Sequence, residues 1–237
     1  MFSIFGSHQD KFDETKFKAN LRMAGTRIKM VQAKMANSIK LQRRAIAELL
    51  ALGKFEAARI KVEPLVREDK SVAGLEALAV FCDTIGNRVH VVGTATSCPP
   101  ELKEAITSVI WASRQTDLVP ELHVVREQIA FRFGRKFTDM AQNNEEFSVN
   151  QRILDRLSAQ LPGHAECVEY LKGICEEYQV SVDLNKLEGA ELGSTTGTVP
   201  LGMEGEVKRD SSGRIEVPPI VVPRDDIEAR LLALKRQ

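Results

Sequence analysis

Few side chains in this sequence stand at spacings that support covalent chemistry. The four histidines, His8, His90, His123 and His164, are scattered, with no H-E-x-x-H pair to hold a zinc ion. Cys82, Cys98, Cys167 and Cys175 form no C-x-x-C spacing, so they read as reduced, partly buried thiols of a cytosolic protein. Leu52-Gly53-Lys54 lacks the upstream glycine and the following Ser or Thr of a phosphate-binding loop, and reads instead as a helix cap. The adjacent carboxylates Glu145-Glu146 and Glu176-Glu177 fall in loop or helix-surface contexts, where water solvates them. These residues point to no enzyme, no metal and no cofactor.

Three other patterns carry binding chemistry. At the C-terminus, Ile227, Leu231 and Leu234 recur at i, i+4 and i+7, one apolar stripe of a short helix, with Asp226, Arg230 and Lys235 flanking it. A helix under about 12–15 residues is marginal alone in water, so such a stripe needs a groove, on its own protein or on a partner. In Arg59–Asp69, the residues Arg59, Glu63 and Arg67 stand at i, i+4 and i+8, where Glu63 can bridge both guanidiniums, with Glu68 and Asp69 following.

Charge is the third pattern. The 237 residues hold 33 basic and 33 acidic side chains, but the signs are segregated. Lys11–Lys54 has eleven bases against three acids, and Ala141–Gly197 has ten acids against four bases. Lys18, Arg22, Lys29 and Arg43 offer the basic segment to an anionic membrane surface or a polymer partner, and Phe2, Ile4 and Phe5 add shallow apolar insertion. Nucleic acid is disfavoured, because no binding motif or interleaved aromatic residue accompanies the bases. The acidic segment is expected to fold back on the basic one. No apolar run approaches the roughly 20 residues of a membrane span.

The elements that position these residues are helical, and the fold class is all-α. Phe17, Leu21, Ala24, Ile28, Val31 and Met35, then Ile39, Ile46, Leu49 and Leu50, predict one long helix ending at Gly53. Phe55, Ala58, Val62, Leu65, Val66, Val72, Leu75, Leu78 and Phe81 predict a second, kinked at Pro64 and antiparallel to the first. Val91–Pro100 reads as a loop. Four shorter helices follow, over 101–115, 120–142, 151–160 with Asn150 as cap, and from Pro162 to about Tyr178. From Asn185 to Pro223, glycines among Ser, Thr and charges read as a disordered linker with a reach of roughly 35 Å.

Several stretches resemble the Increased Sodium Tolerance (Ist-type) proteins, which are related to ESCRT-III. They are Ala51-Leu52-Gly53-Lys54, Ala58-Arg59-Ile60-x-Val62-Glu63, Val66-Arg67-Glu68-Asp69, Phe81-Cys82-Asp83, Ser108-Val109-Ile110-Trp111-Ala112, Glu121-Leu122-x-x-Val125-x-x-Gln128, Val149-Asn150-x-x-Ile153-x-x-x-Leu157-Ser158, and Tyr170-Leu171 through Glu177-Tyr178. Ile227-x-x-Arg230-Leu231-x-x-Leu234-Lys235 resembles the type-one MIT-interacting motif, with Arg224 where that motif usually carries an acid. Val217–Pro223 loosely resembles the type-two motif.

The resemblance implies an ESCRT-III-like helical domain over 1–183 with a long antiparallel hairpin, a flexible linker over 184–224 and a motif helix over 225–237. It implies a non-enzymatic assembly factor in multivesicular-body sorting and abscission, cytoplasmic and peripheral on endosomal membranes and at the division site. Implied partners are MIT-domain proteins including the vacuolar-sorting AAA ATPase, ESCRT-III subunits (charged multivesicular body proteins), an anionic membrane and a homopolymer. The competing expectation is a soluble coiled-coil adaptor whose C-terminal helix docks on its own core.

Overall fold

An apolar residue every three or four positions makes a helix bury one stripe, and that pattern organises nearly the whole described chain. The computed structural model describes residues 12–182 and Ile220. Phe2, Ile4 and Phe5, the 184–224 linker apart from Ile220, and the 225–237 helix lie outside the described residues. Within them are eight helices: α1 (Glu14–Ala51), α2 (Phe55–Asn87), α3 (Val89–Thr94), α4 (Pro100–Gln115), α5 (Glu121–Phe133), α6 (Arg135–Asn143), α7 (Gln151–Leu157) and α8 (His164–Glu177). The described residues contain no strand.

Six helices were expected, and the differences have local causes. The single helix expected over 120–142 is broken at Gly134, whose φ of 93° and ψ of 151° end α5 and begin α6. An L-residue strongly resists that conformation. Val91–Thr94, expected as loop, instead belongs to the short α3. α7 stops at Leu157, three residues before the expected end. Pro64 lies inside α2, which runs on through it. At Gly53, φ of 72° supplies the left-handed turn between α1 and α2.

Contacts divide the chain into two compact units. One holds residues to 36 with 69–160; the other holds 37–68 with the described residues from Leu161 on. In the first unit, Leu21 lies beside Gly86, Gly25 beside Asp83, and the Gln32 amide donates to the Val72 carbonyl at 3.1 Å, so α1 and α2 run antiparallel. Phe17, Leu21, Ala24 and Ile28 are buried with Leu75, Leu78, Cys82 and Ile85. α4 is enclosed, with every residue from Ala105 to Ser113 buried. Its hydroxyls anchor the segment before α7: Thr107 Oγ1 donates to the Ser148 carbonyl at 3.0 Å, and the Asn150 N–H donates to Ser108 Oγ at 2.9 Å. Asn150 then caps α7 by accepting from the Arg152 N–H at 3.0 Å, as the sequence predicts. Burial pushes the Cys82 thiol up to about 12 and the Cys98 thiol to about 11, and all four cysteines are free thiols.

The close approach of α2 to α7 depends on Gly74. A Cβ there would lie 2.7 Å from Leu157 Cγ. Gly74→Ala is therefore expected to destabilise by about 1–3 kcal/mol through overpacking. Gly25→Ala, whose Cβ would meet only Asp83 Oδ1 at 3.7 Å, gains helix propensity of up to about 1 kcal/mol. Urea denaturation of the two variants should move in opposite directions; parallel shifts would remove the packing argument.

A second test concerns Arg27 and Glu121, which join α1 to the start of α5 at 2.6 Å. The Arg27 hydrogen bond holds the Glu121 carboxyl below its usual range, against a smaller desolvation effect. Because the folded-state value is depressed, the stabilisation is present above the ordinary carboxyl range and disappears as pH falls through the folded-state value. Arg27→Ala should raise the Glu121 titration midpoint, followed by side-chain NMR, and flatten the acid limb of the stability curve.

Candidate docking groove

Among the described residues, the second unit is a three-helix arrangement built from the hairpin end and α8. Ile39, Ile46, Ala47 and Leu50 of α1, Ala58, Val62, Leu65 and Val66 of α2, and Val168, Leu171, Ile174, Cys175 and Tyr178 of the α8 segment are buried apolar residues of this unit. Within it Gln42 donates to Glu68 Oε2 at 2.7 Å, tying α1 to α2.

Arg43 ties α1 to α8. Its Nε donates to Glu177 Oε2 at 2.8 Å, and its guanidinium lies 5.0 Å from the centroid of the Tyr170 ring. Burial opposes the charge on Arg43, but hydrogen bonds and charge from Glu177 and Tyr170 outweigh it and raise the pKa above its ordinary value. Here one residue of the basic segment meets one of the acidic segment. Arg43 was expected as a membrane or polymer contact; instead it is half-buried and engaged with α8. Lys18 is half-buried, while Arg22 and Lys29 are exposed on α1.

α2 and α8 leave a groove between them. Arg59, Ile60 and Glu63 line it from α2, and Pro162, His164, Cys167, Val168 and Leu171 from the α8 side, around a volume of about 400 Å³. Val168 and Leu171 are buried and form its apolar floor, whereas Ile60 is 67 % exposed on its rim. His164, Val168 and Leu171 stand at i, i+4 and i+7, so one face of α8 supplies most of this wall, with Pro162 just ahead of the helix. Arg59 is buried, and its Nη1 donates to Glu56 Oε1 at 2.9 Å, one turn earlier in α2.

Of the expected signature residues, Arg59 and Glu63 therefore share the groove, Glu68 faces Gln42, and Arg67 and Asp69 are exposed. Sequence reasoning missed the α8 wall. Its only trace was the His164, Val168, Leu171 spacing, which also describes an ordinary core-facing helix. The tail residues Asp226, Ile227, Arg230, Leu231, Leu234 and Lys235 lie outside the described residues. No described group of three or more His, Cys, Asp or Glu side chains could hold a metal ion, and no described helix is long and apolar enough to cross a membrane.

Residues 18–181 match a family model described as Ist1, regulator of Vps4 activity in the MVB pathway. The chain belongs to the Ist1 family. It is 28 % identical over 169 residues to an IST1-like protein of Dictyostelium discoideum, covering 71 % of this chain and 46 % of that one. It is 28 % identical over 209 residues to vacuolar protein sorting-associated protein IST1 of Saccharomyces cerevisiae, covering 85 % of this chain and 67 % of that one. The chain thus spans about half the length of the first relative and two-thirds of the second. Its fold is similar to the crystal structure of the S. cerevisiae Ist1 N-terminal domain in complex with a Did2 MIM motif, with a TM-score of 0.67 and 27 % identity, covering 75 % of this chain and 97 % of that domain. The all-helical Ist1 domain expected from the motifs is the one observed.

Arg43→Ala should loosen α8 from α1. A half-buried charge-assisted hydrogen bond and a cation–π contact together suggest a loss of about 1–3 kcal/mol. Amide exchange should accelerate along α8 and leave α4 unchanged. Uniform acceleration would show that Arg43 does not hold α8 in particular.

Proposed function

We propose that this Ist1-family chain is a non-enzymatic ESCRT-III assembly factor that works with two hands. The α2–α8 groove receives an amphipathic helical motif from an ESCRT-III subunit. The C-terminal motif centred on Ile227, Leu231 and Leu234 is offered to MIT-domain proteins, including the vacuolar-sorting AAA ATPase. The groove carries this reading: it has an apolar floor with a charged pair at one edge, on a domain similar to the yeast domain that was crystallised with a MIM motif. A helix presenting one aliphatic stripe is the ligand such a trough suits.

The exposed Arg22 and Lys29, with Lys18 beside them, give α1 a basic face for an anionic membrane or a neighbouring polymer subunit, including another copy of this chain. Phe2, Ile4 and Phe5 would add apolar anchoring there. This reading places the protein on endosomal membranes and at the division site, acting on sorting and abscission.

Single motifs with three aliphatic anchors bind weakly, but an assembly presenting many of them gains affinity through effective concentration. The chain would thereby distinguish assembled from free partners.

The test separates the two hands. Leu231→Asp with Leu234→Asp should cut retention of an immobilised MIT domain of the AAA ATPase at least about tenfold, at 1.4 kcal/mol per decade, with the helical circular dichroism unchanged. Ile60→Asp should leave MIT retention intact and weaken capture of an ESCRT-III motif peptide. If the tail variant still binds MIT domains as wild type does, the tail does not recruit; the self-docking adaptor then becomes the better account.

A further inference from the structure

We infer that Phe147 of one copy docks on the exposed α1–α5 face of a second copy, so that copies of this chain join head to tail. The inference rests on the proposed role as a subunit of an assembly, and it names the contact between subunits.

The socket is an apolar face with cationic edges. The Asp13 N–H donates to Gln128 Oε1 at 3.4 Å and Arg27 pairs with Glu121 at 2.6 Å, so α1 and α5 run antiparallel side by side. Met23 stands four residues before Arg27, and Met30 three after it. Val124 stands between Glu121 and Gln128, and Phe131 three residues after Gln128. Helical spacing puts all four on the side that carries those two ties. Their exposure runs from 46 % for Val124 to 69 % for Met30. Lys16 and Lys34 fall on the same side of α1 and are exposed. Cations engage the acids of α5 here, Arg27 with Glu121 and Arg126 with Glu127, so the edges are positive.

The knob has the opposite sign. Phe147, in the loop between α6 and α7, is 88 % exposed and gains little burial within its own molecule. Its φ of 50° is a left-handed conformation that disfavours a side chain of this size. The loop is nonetheless pinned. The Phe147 N–H donates to the Asn144 carbonyl at 3.1 Å, Thr107 of α4 donates to the Ser148 carbonyl, and Lys103 of α4 pairs with Glu146 at 2.6 Å. Glu145 and Glu146 precede Phe147, and Glu104 accepts from Asn150 at 2.6 Å, so its surroundings are acidic. An aromatic side chain held this way loses little freedom on docking.

Charge complementarity selects a second copy as the occupant. An acid-edged knob suits a cation-edged apolar face, and this chain carries one of each. The ties to α4 keep Phe147 from its own α1–α5 face. An anionic bilayer would suit the socket, but it would repel Glu145 and Glu146 and leave Phe147 in water. Because knob and socket are different patches, the contact is heterologous, and each added copy leaves one of each free.

The experiment is sedimentation velocity of the full chain over a range of concentration and salt. The wild-type chain should self-associate, and less so at high salt. Phe147→Gly should weaken association about tenfold or more, yet raise the unfolding midpoint, because glycine accepts a positive φ without strain. Met23→Glu with Met30→Glu should weaken association similarly, with helical circular dichroism unchanged. An equimolar mixture of the two variants should form a 1:1 dimer that grows no further, because one intact knob then meets one intact socket.

A wild-type chain that stays monomeric would overturn the contact; retention of MIT domains by that same chain would leave the proposed function standing. Unchanged association of the Phe147→Gly chain would remove the knob. A mixture that forms no dimer, or that assembles without limit, would overturn the head-to-tail pairing. The face belongs to lipid instead if the Met23 and Met30 substitutions abolish sedimentation with vesicles of phosphatidylcholine and phosphatidylserine and leave self-association intact.

Discussion

The constraint on which this structure depends is the apolar stripe of α1. It runs from Phe17 to Leu50 on a single helix, and no one globular layer covers it. In the first unit the stripe is buried in a core that also takes in α2 and the enclosed α4. In the second unit its continuation is buried along with residues of α2 and α8. α2 accompanies α1 in both units, held antiparallel by the Gly53 turn. The third wall differs between them, and so does what each unit has left over for binding.

Among the described residues the second unit has the fewer elements, and a groove remains between them. Two long helices meeting one short helix leave a trough along one side of the contact. Arg43, with Glu177 on one side and Tyr170 on the other, ties α8 to α1. The cation that looked suited to a membrane is used internally to set the groove wall. Charge segregation along the chain therefore has a structural role before any external one.

Legibility followed the range of the interactions. The stripes of α1 and α2, the Gly53 turn and the Asn150 cap all depend on residues within a few positions of one another, so they were readable. The Gly134 break was hidden because Phe133 and Phe137 carry the apolar pattern across it; only the positive φ of the glycine interrupts the hydrogen bonding. The short α3 was hidden inside a stretch, Val91–Pro100, that reads as a loop; Val92 is buried in the core, a tertiary contact that local pattern does not show. The groove was not readable at all, because Ile60 and Val168 are far apart in sequence and meet only through tertiary packing. Arg59 and Glu63 were visible as a charged pair, yet their place beside an apolar trough was not.

The burial pattern of the groove also limits how tightly it can hold anything. Val168 and Leu171 are already removed from water by the core, so a ligand covers only their remaining outer faces, while Ile60 is the rim residue with substantial area to lose. At about 25 cal/mol per Å² of apolar surface, most of the gain must come from the ligand's own aliphatic side chains. Ordering a short helix opposes that gain at about 1–2 kcal/mol per residue of backbone. In the proposed role, such a groove would discriminate less by the identity of one ligand than by how many motifs are presented, because an array of motifs raises local concentration.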